Sequence, residues 1–409
     1  MMNWICAQLG AREHYAIPRA LHRNGALRGL FTDAWVRPGN PLGRLKQSLR
    51  ERYHAELADT AVHSANVSLL MFEARARLKG LQGWNRIMAR NEWFQREALR
   101  FLSNLRPPSS VLRPPTSDLR PPALFAYSYA ARDLFRWARA QGWRTVLGQI
   151  DPAVTEERLV ERLHQRQSEL SSDWQAAPLK YWEQWHEECQ LADRIVVNSE
   201  WSRKALEKEG ISAGKIRVVP LAYAPPPEAA GFRREYPAQF TSERPLRILF
   251  LGQINLRKGI GPLLEAAEML RGEPVEFHIV GPVLVTVPEK WRRHPQIRWL
   301  GPVPRGAVAE HYRAADVFLF PTFSDGFGMT QLEAQAWQLP IVASQFCGDV
   351  VRDGVNGLRL TEVNAGGIAQ AVRRFLASPE QLAAMSRASG VGAEFSLSGI
   401  AATLESVLD

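Results

Sequence analysis

The chain has 409 residues, of which 45% are hydrophobic and 23% charged, and a formal charge of +9. That length can bury two or three domain cores, and no apolar run approaches the roughly 20 residues that a membrane-crossing helix needs. Cys6, Cys189 and Cys347 are odd in number and far apart, which argues against a disulfide frame or a zinc site and suits a reducing cytoplasm.

The first residues, MMNWICAQLGARE, lack a basic leader followed by a long apolar stretch, so they read as a first strand and not as an export signal. Trp4, Ile5 and Cys6 form that strand, LGAREHYAIPRALHRNG a loop and helix, and LRGLFTD a second strand, with Gly10 at the first turn. Residues at the carboxyl ends of such strands face the cleft of an open parallel sheet. Arg12, Glu13 and His14 are therefore cleft candidates, or else part of a solvated loop. Charge is concentrated next: between Arg44 and Arg120 there are 14 Lys and Arg against 7 Asp and Glu. Such a region can meet nucleic acid, anionic lipid or a phosphorylated substrate. Without zinc-finger spacing or an aromatic-glycine RNA motif, nucleic acid is the weakest of these.

Residues Leu69 to Leu102 read as one or two basic amphipathic helices, with Trp84, Ile87, Trp93 and Phe94 among charges such as Arg75, Arg77, Lys79, Arg86 and Arg90. They suit either an interfacial helix on anionic lipid or an ordinary helix packed on the sheet. LRPP then starts at Leu105, Leu112 and Leu119, and each Pro pair removes donors and restricts its predecessor. An extended, polyproline-like surface loop is expected over 105–122. Ala123 to Tyr127 and TVLGQIDP are strands, which puts Tyr127, Ser128, Tyr129, Gln149 and Asp151 at strand ends. Such groups suit a sugar, with its hydroxyl rim and apolar faces, although packing and capping would also use them. A long helical segment from Glu156 leads to strand RIVVN, a helix capped by Ser199, and strand KIRVVPLAY. After a Pro-rich linker, LRILFLGQINLRKG, EFHIVGP, IRWLGPV and ADVFLFP repeat the alternation. The expected architecture is α/β, with two doubly wound Rossmann-like domains facing each other across a cleft. Their expected extents are 1–223 and 246–390, joined by a linker at 224–245, with a final helix in 391–409 packing back on the first domain.

The most informative stretch is Val317 to Ser344. Val317, Phe318, Leu319 and Phe320 are a buried strand closed by Pro321, and Gly326 and Gly328 in the following loop let backbone amides approach a ligand. A helix is expected from Met329, with Leu332, Ala336 and Leu339 on one face and its positive end towards an anion. Asp325 and Glu333, eight residues apart, flank that end and can reach one elongated ligand. A plain strand-loop-helix unit with two surface acids is the alternative. GFGMTQ also covers part of a dinucleotide fingerprint, but Gln331 and Gln345 stand where its third glycine and ribose-binding acid belong.

Taken together, LGQINLRKG with LLEAA, GPV before ADVFLFP, and DGFGMTQLEAQAWQLPIVAS with VRDGVNGLRL resemble the retaining glycosyltransferases of the GT-B fold, family 4, also called glycosyltransferases group 1. LADRIVVNSEWSRKAL and KIRVVPLAY extend the likeness, which is dense from Ala192 to Leu360 and absent in the middle of the first half. The resemblance implies that Lys258 pairs with the donor diphosphate, that Asp325 holds donor-sugar hydroxyls, and that Glu333 accepts hydrogen bonds from the ribose. It places the amides of Gly326, Phe327, Gly328 and Met329, with the helix start at Thr330, against the leaving diphosphate. Gly252 and Gln253 form the glycine turn, and Val303 meets the base through its backbone. The chain departs from the family at Asp325, usually Glu, and at Gln253, commonly Arg, for which Arg257 is the candidate compensation. The family's first-half histidine has no clear match. His14 is the candidate, with Ser128 or Tyr129 as neighbours, on an acceptor side made of Gly10, Arg12, Tyr127, Ser128, Tyr129 and Asp151.

The implied reaction moves a sugar from a nucleoside diphosphate sugar to an acceptor hydroxyl with retained configuration, with a donor phosphate oxygen taking the proton. Neither a metal nor another cofactor is implied, and domain closure is the gating motion. The implied partners are the nucleotide-sugar donor, a glycan or lipid-linked acceptor and an anionic membrane surface, with no nucleic acid. The expected setting is cytoplasmic, with the basic helices offering a peripheral contact to the inner face of a membrane, and the expected process is glycan, polysaccharide or glycolipid biosynthesis. A nucleotide-sugar epimerase, a phosphorylase, or a non-catalytic lipid- or nucleic-acid-binding relative are the rivals.

Overall fold

Two parallel sheets carry the chain in the computed structural model, which describes residues 3–40, 42–45, 47–105 and 121–408. The LRPP copies at 106–120 lie outside the described residues. The first sheet contains β1 (Trp4–Gln8), β2 (Leu27–Thr32), β3 (Val62–Ser64), β4 (Ala123–Tyr127), β5 (Arg144–Gly148), β6 (Arg194–Val197) and β7 (Ile216–Val218) in the order β3-β2-β1-β4-β5-β6-β7. The second contains β8 (Leu246–Leu251), β9 (Val275–Val280), β10 (Ile297–Gly301), β11 (Val317–Phe320), β12 (Ile341–Ser344) and β13 (Gly357–Leu360) in the order β10-β9-β8-β11-β12-β13. Helices cover both faces, which is why the central strands β11 and β12 are buried at every position. This is the expected pair of doubly wound Rossmann-like sheets.

Strand order reverses between β1 and β4 in the first sheet and between β8 and β11 in the second. Ligands of such sheets bind at the carboxyl ends of strands where the order reverses. The first reversal lifts Gly10 to His14 and Tyr127 to Tyr129 into the cleft, and the second lifts Gly252 to Lys258 and Pro321 to Gly328.

The basic segment divides into helices Asn66–Leu78 and Gly83–Asn104. The longer one buries Trp93, Phe94, Ala98 and Leu102 in the first core, and its Arg90 reaches the buried Asp33 at 2.9 Å. It is thus an ordinary helix packed on the sheet. Helix Asn66–Leu78 leaves Val67, Met71 and Leu78 exposed. Among the described residues no helix is long and apolar enough to cross a membrane.

Residues between the two sheets are anchored to the second. Phe240 enters its core, Arg244 forms a two-pronged ion pair with Asp316 at 2.7 Å, and Arg234 donates to the Tyr312 and Trp337 carbonyls. The last helix, Leu397–Glu405, returns to the first domain, where Leu397, Ile400 and Leu404 share a core with Ile17, Ala20 and Leu21 of helix Ala16–Arg23.

Candidate active site

The loop after β11 is fixed from below by the turn after β8. Gly259 adopts φ +80°, and a side chain there would place its first carbon 2.0 Å from the Pro321 carbonyl oxygen, so only glycine permits the approach. The Asn255 side chain caps this turn by accepting the Lys258 amide at 3.0 Å. Lys258 is thereby aimed across the switch point. Its ammonium bonds Asp325 Oδ2 and lies 4.7 Å from the centre of the Phe320 ring.

Asp325 is tied on both sides. Its amide donates to the Phe346 carbonyl at 2.9 Å, and its Oδ1 accepts the Phe327 amide at 3.2 Å. The Arg257 guanidinium stands 3.8 Å from its Oδ2. Burial alone would raise its pKa, but the charges of Lys258 and Arg257, with the two hydrogen bonds, outweigh burial and lower it. Asp325 is therefore a carboxylate at neutral pH. The Phe327 ring is a core group 5.9 Å from Phe395, which leaves its backbone facing Asp325.

The loop also meets the first domain. Ser202 Oγ donates to the Gly326 carbonyl at 3.4 Å, and Trp201 Nε1 donates to Ser324 Oγ at 3.0 Å. Ser324 Oγ donates in turn to Glu156 Oε2 at 2.7 Å, and Arg257 bonds that same oxygen at 3.3 Å and the Ser324 carbonyl at 2.8 Å. Burial pushes the Glu156 carboxyl up to about 7; Arg257 and the Ser324 hydroxyl oppose the shift, while Asp151 and Asp325 add to it. Sequence reasoning missed Glu156 because the strand-end rule reaches Asp151 and no further. A second omission is Tyr312, a buried ring whose hydroxyl donates to Glu333 Oε2 at 2.7 Å. Glu333 sits on helix Thr330–Ala336, which begins one residue later than expected and stops short of Leu339. Thr330 Oγ1, on the first residue of that helix, is buried without a hydrogen-bond partner.

Opposite this group stands the first switch point. Glu13, His14 and Tyr15 take left-handed backbone angles, φ 51°, 51° and 59°, a run that costs energy in residues with side chains. The turn aims Glu13 at the Tyr127 hydroxyl, which donates to it at 3.0 Å, and brings the His14 ring against Arg305 of the second domain. Burial, then the Arg305 charge, lowers the His14 pKa. His14 thus contacts the segment after Val303 and not Asp325, while Val303 packs on the second domain's core. Arg12 lies 5.9 Å from the Tyr127 ring centre, and the Gly10 amide donates to Asp33 at 3.0 Å. Tyr129, at φ 74°, donates its hydroxyl to Asp151 at 2.5 Å, and the Ser128 hydroxyl accepts the Ile150 amide at 3.4 Å. Gln253, Arg257, Asp151 and Tyr129 share a cavity of about 380 Å³ between the domains. Among the described residues no group of three or more His, Cys, Asp or Glu side chains is arranged to hold a metal ion.

Comparison with known proteins gives this site its setting. The family profile of glycosyl transferases group 1 matches residues 245–378. Residues 245–378 are similar to a group 1 glycosyl transferase domain. That domain contributes Lys258, Asp325 and Glu333, whereas Glu156, Asp151 and Tyr129 come from the half that precedes it. A D-inositol 3-phosphate glycosyltransferase of Geodermatophilus obscurus is 34% identical over 220 residues, 48% of each chain, and one of Kineococcus radiotolerans is 31% identical over 240 residues, 50% of this chain and 54% of the relative. The chain thus matches about half the length of these curated relatives. Among solved structures, Anabaena Alr3699/HepE in complex with UDP has a TM-score of 0.61 at 12% identity, covering 100% of this chain and 99% of that one. Sucrose-phosphate synthase of Thermosynechococcus elongatus has a TM-score of 0.61 at 17% identity, covering 98% and 97%. Both likenesses span the two domains, and the fold of this chain is GT-B.

Proposed function

We propose that this protein is a retaining glycosyltransferase of the family 4 type, which moves a hexose from a nucleoside diphosphate sugar to an acceptor hydroxyl. The observation that carries the proposal is the cluster of Lys258, Arg257 and Asp325 where the order of the second sheet reverses, facing first-domain side chains across the cleft. In the donor complex Lys258 exchanges Asp325 for the diphosphate, and Asp325 turns to hydroxyls of the donor sugar. Loop amides from Gly326 to Met329 and the unpartnered Thr330 hydroxyl face the same anion, while the free oxygen of Glu333 takes the ribose. Curated relatives named for glycosyl transfer and the UDP-glucose held by the Anabaena protein support a nucleotide-sugar donor.

Because both acids are engaged in binding, departure of the diphosphate and attack of the acceptor occur on one face, with a donor phosphate oxygen taking the acceptor proton. Lys258 and the amides supply the positive charge that stabilises the leaving group, without a metal cofactor. Asp325, one methylene shorter than glutamate, sits where the donor sugar is recognised. We place the reaction in glycan, polysaccharide or glycolipid synthesis at the cytoplasmic face of a membrane. Helix Asn66–Leu78 would meet anionic lipid through its exposed Val67, Met71 and Leu78 beside the exposed Arg75, Arg77 and Lys79. Lys258→Ala and Glu333→Ala should abolish release of nucleoside diphosphate from the donor while melting remains cooperative. Undiminished turnover in either variant would overturn the proposal.

A further inference from the structure

The cavity between the domains differs in chemistry from the phosphate side of the cleft. Its volume of about 380 Å³ falls within the range of ligand pockets, about 300–1,000 Å³. Aromatic rings from three first-domain elements build one wall: Tyr129 stacks on Tyr181 at 4.8 Å, Trp84 tilts against Tyr181 at 4.9 Å, and Trp182 meets Tyr181 edge-on at 5.1 Å. Trp174, stacked on His164 at 5.6 Å, stands at the far end. These rings are held in place by polar contacts. Trp182 donates to Glu157 at 2.6 Å, Trp84 donates to the Gln175 carbonyl at 3.0 Å, and Tyr129 donates to Asp151.

Charge in the lining is one-sided. Asp151, Glu156, Glu157 and Asp173 contribute carboxylates, and Arg257 is the one lysine or arginine among the described lining residues. Arg257 is already bonded to Glu156 and to the Ser324 carbonyl. Glu157 spends both oxygens on the Ala177 amide and Trp182. The hydrogen bonds from Tyr129, Gln149 and the Ala153 amide all converge on Asp151 Oδ1, which leaves its second oxygen as a fixed acceptor for a ligand hydroxyl.

We propose that this cavity is the acceptor subsite and takes a glycan ring that carries no anionic group, stacked on the Trp84–Tyr181–Trp182 wall with a hydroxyl on Asp151. Aromatic faces match the apolar C–H faces of a sugar ring, carboxylates match its hydroxyls, and a phosphate or uronate would be repelled by Asp151, Glu157 and Asp173 around a guanidinium already paired with Glu156. The inference rests on the transferase reading for the word acceptor. It separates the chain from relatives named for a phosphorylated inositol.

The test is calorimetric binding of maltose, cellobiose and lactose, set against glucose 6-phosphate and digalacturonate, to the full chain without nucleotide. At least one neutral disaccharide should bind, and the two anionic sugars should bind about tenfold more weakly or not at all. Trp84→Ala and Trp174→Ala, both in half-exposed side chains, should each weaken the neutral sugar about fivefold while the fold, read by circular dichroism, is kept. Equal or tighter binding of the anionic sugars, no binding of any neutral one, or neutral binding untouched by both substitutions would each overturn the proposal. Because nucleotide is absent, failure here leaves the donor reading standing, and failure of nucleotide binding leaves this result standing.

Discussion

An alanine at position 326 would put a methyl carbon 2.3 Å from the Ile150 carbonyl oxygen and 3.3 Å from Asn198 Nδ2. Both atoms belong to the first domain, whereas Gly326 follows Asp325 on the loop of the second. Carbon and carbonyl oxygen rarely approach closer than about 3.3 Å, so the loop must retreat by about 1 Å. Misplacement of a reacting group by about 1 Å costs on the order of 100-fold in rate, equivalent to about 2.7 kcal/mol of barrier. The clash falls between the domains and spares both cores, so the melting temperature should change little. Steady-state release of nucleoside diphosphate from Gly326→Ala should show kcat/KM reduced about 100-fold. Wild-type kcat/KM in this variant would refute the claim that the loop works pressed against the first domain.

Glu156 gives a pH signature. Its folded pKa of about 7 lies above the ordinary 4.5, so the folded chain prefers its protonated form. That contribution is complete below pH 4.5 and lost as pH rises through 7, a change of about 3 kcal/mol. Buried Glu188, also pushed to about 7, acts in the same direction. Glu156→Gln should therefore lose less stability between pH 5 and pH 8 than wild type does, measured by urea midpoints; an identical loss would exclude Glu156 as a source. Tyr312→Phe takes the partner from Glu333 Oε2 in a half-buried site, and should cost about 1–3 kcal/mol in stability and weaken nucleotide binding. Calorimetry on that variant with unchanged affinity would separate Glu333 from the ribose. Lys258→Ala should also let the Asp325 pKa rise, so that acid unfolding begins at higher pH than in wild type.

Much of the fold was legible because its signals are local. The apolar run of β11, its closing Pro321 and the glycines after it fix a strand and a loop whatever lies elsewhere, and the same alternation recurs from β8 to β12. The helix that follows was harder to delimit. Its end is set by Gln338 in a left-handed turn at φ 55°, which lets Leu339 reach the core outside the helix. The Pro-rich segment before β8 read as a linker, and its anchors to the second domain, Arg234, Phe240 and Arg244, were not visible because they are scattered and find partners only in the folded chain.

Within the site, Asp325 was visible from its place in the glycine loop after β11, and Lys258 from the resemblance to the glycosyltransferase family. Glu156 and Tyr312 were not, since an acid early in a long helix and a tyrosine in a short one look like surface and core until two elements meet. Arg257 illustrates the same point. Its neighbour Lys258 suggested a phosphate contact, yet its guanidinium is held by Glu156 and the Ser324 carbonyl from opposite sides of the cleft. The aromatic wall arises in the same way, because Trp84 and Tyr181 lie 97 residues apart in sequence and 4.9 Å apart in space.

The most direct measurement is a thermal-shift titration of the full chain with UDP, GDP and ADP. A ligand bound to the folded state alone stabilises it by about 2.7 kcal/mol at a hundredfold excess over its dissociation constant. One of the three should raise the melting temperature in a concentration-dependent way, and Lys258→Ala should blunt that rise. No shift with any of them up to about 1 mM, the upper end of ordinary enzyme affinities, would contradict a nucleotide-sugar site at Lys258, Asp325 and Glu333.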